Sequence, residues 1–272
     1  MSSENPVEID QQRKYTSSLK KFPGGHAKLS DIFVSIKSQT TAVEKRKIKT
    51  GLLILSFLLA ISCSAQKLHM VKGYCGIYYY TMEDLLRQKQ AELDFYQFRP
   101  GQVVASIGAQ CGHWEAAYAA ATDSVLFYLE DIDTSFFNAR QVSFAWHYYD
   151  SLRGRPMTCR YTLVTGTTAS TGLPEGVFDK ILIINSFHEF SEKAKMLADL
   201  KAKLKPGGIL YIDESVPRKP GQLHGVCKMP MLSPEEMTSL LAANGFAPAG
   251  TLDINFRLNR TYRKIYAFIL ID

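Results

Sequence analysis

Residues 102–115 read QVVASIGAQCGHWE, an apolar run that breaks abruptly into glycine and then into a helix-like pattern. Val103, Val104, Ala105 and Ile107 predict a strand buried on both faces. Gly108 and Gly112 let the backbone turn tightly at its carboxyl end, ahead of an alanine-rich helix over 114–121. Such a turn sets unpaired peptide N–H groups beside glycines that admit close approach, so a ligand is expected there. Two glycines by themselves fit a plain strand-turn-helix connection equally well.

The segments on either side continue the pattern. Upstream, Thr81 can cap a helix whose Leu85, Leu86, Leu93 and Tyr96 recur at helical spacing up to Pro100-Gly101. Downstream, 124–129 predicts a second buried strand ending in Glu130-Asp131-Ile132-Asp133. Asp131 lies about 20 residues beyond Gly112, the offset at which a carboxylate after the second strand accepts from a ribose. The competing reading has Asp131 or Asp133 capping a helix that starts near Thr134.

A helix over 135–149, a strand over 160–164, a loop over 165–176 and a strand over 178–185 follow. The last of these runs into Ser186-Phe187-His188-Glu189-Phe190. An amphipathic helix over 192–204 stops at Lys205-Pro206-Gly207-Gly208 before a strand at 209–212. Ser233 and Pro234 open a further helix closed by Gly245, and strands over 251–256 and 264–271 end the chain.

Composition is that of a globular protein, with 46% hydrophobic and 21% charged residues. The net charge of +6 invites a nucleic-acid reading, but residues 1–66 hold ten Lys or Arg against five Asp or Glu. Subtracted from totals of 32 and 26, that leaves 22 against 21 over 67–272, so no nucleic-acid partner is expected. Residues 1–44 are polar and without period, and predict a disordered leader. Lys45, Arg46, Lys47 and Lys49 then precede an apolar run over 51–62 and the small residues Ser62-Cys63-Ser64-Ala65. This is the pattern of an export signal over 45–66, cut after Ala65 or, as in a lipoprotein box, before Cys63. Residues 51–63 could also attach the chain to a membrane. The expected setting is therefore periplasmic or membrane-attached in a bacterium, or cytoplasmic if the run is a buried helix, with a folded domain over 67–272.

Cysteines at 63, 75, 111, 159 and 227 show no CxxC spacing, so neither a zinc ribbon nor a thioredoxin-like pair is expected. One or two disulfides are permitted, as are solitary buried thiols. His188 and Glu189, just past the fourth strand, are candidates for a base or for orienting a substrate, or else simply start a helix. His224-Gly225-Val226-Cys227 offers two metal ligands with no third or fourth in view, so no metal is expected.

PGQVVASIGAQCGHWE, YLEDID, GVFDKILIINSFHEF and LKAKLKPGGILYIDE occur in that order, followed by a helix and a closing strand pair. From about Tyr80 onward the chain resembles the class I S-adenosylmethionine-dependent methyltransferases. The resemblance implies an α/β, Rossmann-like doubly wound sheet of seven strands in the order 3-2-1-4-5-7-6, the last antiparallel, with helices on both faces. It implies S-adenosyl-L-methionine as cofactor and, as expected acceptor, a small molecule. Ser106, Ile107, Gly108, Ala109, Gln110 and Gly112 would pass the methionine part of the cofactor. Asp131 with Ile132 would meet the ribose, Thr167 the adenine amine, and Asn185 with Ser186 the methyl group. Three positions depart from the family: Ser106 and Thr167 stand where carboxylates are usual, and Gln110 where glycine is. The alternative function is an exported, non-catalytic binding protein that keeps the fold and has lost or weakened cofactor binding.

Overall fold

Alternation within the strands decides which helices cover which face. In β1 (Val103–Ile107), Val104 packs to one side and Ala105 with Ile107 to the other. The same split recurs in β4 (Phe178–Ile184), where Leu182 and Ile184 oppose Ile181 and Ile183. A strand with both faces apolar must be covered twice. The computed structural model describes residues 79–256 and 261–271. The predicted leader over 1–44 and export signal over 45–66, with its two cleavage points, lie outside the described residues.

One face carries α1 (Met82–Tyr96), α2 (His113–Ala121) and α3 (Ala139–Arg153). The other carries α4 (Lys193–Lys203) and α5 (Pro234–Ala243), through Met196, Leu197, Leu200, Met237 and Leu241. Among the described residues no helix is long and apolar enough to cross a membrane.

The sheet also contains β2 (Leu126–Asp131), β3 (Arg160–Thr165), β5 (Leu204–Ser215), β6 (Phe246–Phe256) and β7 (Thr261–Leu270), in the order β3-β2-β1-β4-β5-β7-β6. β7 runs antiparallel to both neighbours, while β1 to β5 pair in parallel. β1 lies between β2 and β4, so the chain leaves it in opposite directions and a crevice opens at its carboxyl end.

Two expectations need correction. The helix after β2 begins at Ala139 rather than near Thr134 or Ser135, and its cap is Asn138, which accepts from Gln141 N at 3.1 Å. Asp133 instead accepts from the N–H of Ser135 in a local turn, so neither aspartate caps a helix. β5 is also longer than its apolar core: it pairs with β4 from Leu204, and Lys205-Pro206-Gly207-Gly208 bulges out of register with Gly207 at φ +74. The expected caps Thr81 and Ser233 are present, the latter in a reciprocal capping box with Glu236.

Beneath the crevice α1 carries a buried ion pair. Lys89 Nζ donates to both oxygens of Glu92 at 2.8 and 2.6 Å, and Tyr118 Oη donates to the same carboxylate at 2.5 Å. The ammonium also lies 4.0 Å from the centre of the Trp114 ring.

Candidate active site

A pocket of about 880 Å³ opens at the carboxyl ends of β1, β2 and β4. Its wall includes Ile107, Gly108, Ala109, Gln110, Asp131, Ile132, Thr167, Asn185 and Ser186, so most of the residues predicted from sequence converge there. Ser106 and Gly112 do not line it. Ser106 is buried one residue below, and Gly112 faces the core, where an added Cβ would meet Leu129 Cδ1 at 2.8 Å.

The loop after β1 is shaped by β2. The carbonyl of Glu130 accepts from the N–H groups of Gly108 and Ala109, each at 2.9 Å. Asp131 completes the hold, one carboxylate oxygen accepting from Gln110 N and the other from Asp133 N, both at 2.8 Å. Gly108 has φ +72, and a Cβ there would stand 2.6 Å from Ser186 Oγ, which is fixed by donating to Ile107 O at 3.0 Å. Glycine is therefore required at 108. Gln110 adopts φ 48 in the family's glycine position, leaving its side chain exposed while its N–H serves Asp131.

Two carboxylates that the sequence reading did not single out stand where the departures left gaps. Glu115, in the first turn of α2, accepts from Ser106 Oγ at 2.5 Å, and its second oxygen is buried with no hydrogen-bond partner among the described residues. Glu130 packs its carboxyl group against Gly166, next to Thr167, and one of its oxygens is likewise unpartnered. Thr167 itself is taken up by a turn, its hydroxyl donating to Ser170 O and accepting from Ala169 N and Ser170 N. Burial pushes the Glu115 carboxyl up to about 7. Burial and the neighbouring Asp131 charge push that of Glu130 up to about 8. Glutamate three residues beyond the last glycine, and a second acid beside Asp131, are the signals that sequence offered for this pair.

These shifts carry a sign. Between the ordinary glutamate value of 4.5 and about 8 the folded protein holds a proton on Glu130 that the unfolded chain has released. Ionising the buried group thus costs folding free energy as pH rises through that window, about 1.4 kcal/mol for each pH unit separating the two values. Glu130→Gln should therefore gain stability relative to the parent between pH 5 and pH 8.5 in urea unfolding. An offset that is the same at both pH values would show that Glu130 does not titrate in this way.

Past β4 a single 3-10 turn, Phe187–Glu189, carries the predicted pair. Glu189 is exposed on the pocket rim, but His188 is only 2% exposed and does not line the pocket. Its ring lies 4.5 Å, centre to centre, from that of His224, which does. His188 Nδ1 meets Glu214 Oε2 at 2.8 Å, and its backbone N–H donates to Glu214 Oε1 at 3.1 Å. Glu214, at the end of β5, is a partner the sequence reading missed. His188 thus does not simply begin a helix, and it does not open on the pocket as a free base.

His224 Nδ1 lies 3.2 Å from Cys227 Sγ, and a donor atom from each of His188, His224 and Cys227 falls within 4.8 Å of the others. The fold thus sets a third donor-bearing side chain, His188, beside the two that the sequence places together. Cys159 and Cys227 are free thiols, whereas Cys111 is disulfide-bonded.

A family model described as "Methyltransferase domain" matches residues 122–212, the stretch from the start of β2 into β5. No curated protein matches the sequence. Among solved structures, a SAM-dependent methyltransferase from Aquifex aeolicus superposes with a TM-score of 0.51 at 19% identity, over 71% of this chain and 100% of that one. The Burkholderia thailandensis 1,6-didemethyltoxoflavin-N1-methyltransferase, with bound 1,6-didemethyltoxoflavin and S-adenosylhomocysteine, gives 0.52 at 17% over 87% and 93%. A phosphoethanolamine N-methyltransferase 2 from Haemonchus contortus, with phosphomonomethylethanolamine and S-adenosylhomocysteine, gives 0.51 at 13% over 68% and 52%. Identities this low speak for the fold.

Proposed function

We propose that this chain, a class I S-adenosylmethionine-dependent methyltransferase by its fold and its family match, binds S-adenosylmethionine in the crevice over β1 and transfers its methyl group to a small molecule. The observation that carries the reading is the pocket's chemistry. Five acidic side chains, Glu115, Glu130, Asp131, Asp133 and Glu189, line it with one arginine, Arg263; burial keeps protons on Glu115 and Glu130 to higher pH, and a cation bound beside them would favour their charged forms.

Each part of the ligand has a partner of fitting chemistry. Asp131 keeps lone pairs for two ribose hydroxyls beyond those given to Gln110 and Asp133. Glu115 holds the ammonium, replacing on α2 the carboxylate that Ser106 lacks. Glu130 faces the adenine amine in place of Thr167, between the exposed apolar groups of Ile132 and Phe136. When bound, the cofactor supplies an electrophilic methyl on a sulfonium that leaves readily. Asn185 and Ser186 border that methyl, and Glu189 with His224 orients the acceptor from the other end, so the protein's main contribution is alignment. A pocket of about 880 Å³ has room for the cofactor with a small acceptor beside it.

Titration calorimetry of the full chain with S-adenosylmethionine and S-adenosylhomocysteine tests this. Micromolar binding of both is expected, and absence of heat for either at millimolar concentration would end the proposal. A second reading, an exported binding protein of the same fold, is favoured by the signal-like pattern over 45–66 and by the disulfide at Cys111, which fits an oxidising compartment. It would show weak or no binding of S-adenosylmethionine and no methylated product from any acceptor offered.

A further inference from the structure

We propose that His188 Nε2, His224 and Cys227 Sγ hold a zinc-class divalent cation in the pocket wall, with an open position that binds the acceptor's thiol or hydroxyl group. The strongest single sign is His188. A carboxylate can only accept, so the contact with Glu214 Oε2 calls for a ring proton on Nδ1, and in the neutral ring Nε2 is then the atom that can ligate. That nitrogen is buried and makes no hydrogen bond among the described residues, the Glu189 carboxylate standing off at 3.6 Å. An unsatisfied buried acceptor destabilises the fold, and coordination offsets this cost without moving Glu214. Carboxylate, histidine and metal in line is the arrangement that fixes both the tautomer and the orientation of a ligating imidazole.

The other two ligands come from a built turn rather than a loose loop. His224 N donates to Met229 O at 2.8 Å, Lys228 N donates back to His224 O at 3.2 Å, and Leu223 bridges Pro230. Lys228 takes φ 61 and its ammonium donates to Gly225 O at 2.6 Å, closing the turn so that His224 and Cys227 share one side. Tetrahedral zinc, with bonds of about 2.0 Å to nitrogen and 2.3 Å to sulfur, sets its ligands roughly 3.3–3.6 Å apart. The three donor atoms, all within 4.8 Å of one another, need only a small closure to meet that spacing. Two imidazoles and a thiolate are a zinc donor set, and three protein ligands leave a fourth position free. His224 and Glu189 line the pocket, so that position lies at its acceptor end.

The role in catalysis rests on the methyl-transfer reading, whereas the site itself does not. Coordination releases the acceptor's proton to solvent. The metal-bound sulfur or oxygen then gives an electron pair to the methyl carbon as the carbon–sulfonium bond breaks, and that bond's electrons return to sulfur. The products are the methylated acceptor and S-adenosylhomocysteine. His188 is then a metal ligand, with Glu214 as its positioning residue.

The test is to strip the full chain with a chelator and titrate it with Co²⁺. One equivalent should bind with a thiolate-to-cobalt charge-transfer band and the strong visible bands of four-coordinate cobalt, and Zn²⁺ should abolish both. Cys227→Ser should lose the charge-transfer band and weaken zinc binding at least tenfold, and Glu214→Gln should weaken it about tenfold with the band retained. Cys227 is half-exposed on a surface turn, so its variant should keep the parent's circular dichroism and its affinity for S-adenosylmethionine. A parent protein without the cobalt bands, or a Cys227→Ser variant with unchanged zinc affinity, would overturn the site. Either result would leave the cofactor titration, and the reading it supports, standing separately.

Discussion

Replacing Glu92 by glutamine is expected to cost about 3–5 kcal/mol of stability, because it leaves the ammonium of Lys89 buried without its counter-charge. Lys89 is fully buried, and both hydrogen bonds that its ammonium makes go to Glu92 oxygens. Glutamine offers one acceptor in place of two and turns an N–H₂ toward the ammonium and the Tyr118 hydroxyl. Arg263 depresses the Lys89 ammonium further and its partner Asp213 works against that, so this second pair gives little net relief. Burial already holds the Lys89 pKa below its ordinary value, with Glu92 opposing that shift, so without Glu92 the amine falls further and sheds its proton. The unfolded state is common to both proteins, so the variant's deficit is present below the lowered Lys89 value of the folded parent and should shrink as pH rises through it. In a domain of this size the change corresponds to roughly 6–20 °C in melting temperature. Urea unfolding at pH 7 and pH 9.5 measures both effects. The double variant Lys89→Met with Glu92→Leu should recover part of the loss, since a buried ion pair contributes little over apolar groups of similar volume, while the buried Tyr118 hydroxyl left without its acceptor retains the remainder. A single-variant cost under 1 kcal/mol would mean that water already reaches the pair.

This pair marks the limit of what was legible in the sequence. The strand after Gln102, the glycine turn and the sheet order follow from local apolar runs and from four motifs in sequence order, which is why β1, β4 and the caps Thr81 and Ser233 lie close to where they were expected. Lys89 and Glu92 sit one helical turn apart on what reads as a solvated charge face. Only the packing of α1 over Trp114 and Tyr118 makes them interior. The same holds for the candidate site. Asp131 was visible because its offset from Gly112 is fixed by one strand and one helix. Glu115 was hidden because a glutamate in a first helical turn is sufficiently explained by the helix dipole. His188, His224 and Cys227 were read apart because β5 and a surface turn intervene, and no spacing rule spans such a connection.

The second large effect falls on Asp131. Its two oxygens bind the N–H groups of Gln110 and Asp133, and the carboxylate faces the pocket. Asp131→Ala removes the proposed ribose acceptor and releases Gln110, whose left-handed conformation at φ 48 then lacks the bond that offsets its strain. Loss of one charge-assisted hydrogen bond, about 1.5–3 kcal/mol, corresponds to a rise of roughly ten- to two-hundredfold in the dissociation constant of S-adenosylmethionine. Adenosine tells the ribose contact apart from general loosening of the loop. It carries the ribose without the amino acid, so its affinity should fall by a similar factor in Asp131→Ala. Glu115→Gln should do the reverse, weakening S-adenosylmethionine through the ammonium while leaving adenosine unchanged. Calorimetry on the two variants with the two ligands gives four dissociation constants, and the crossed pattern follows from a ribose at Asp131 and an ammonium at Glu115. If Asp131→Ala binds adenosine within threefold of the parent, Asp131 serves only the backbone of the turn, and the cofactor must lie elsewhere in the crevice.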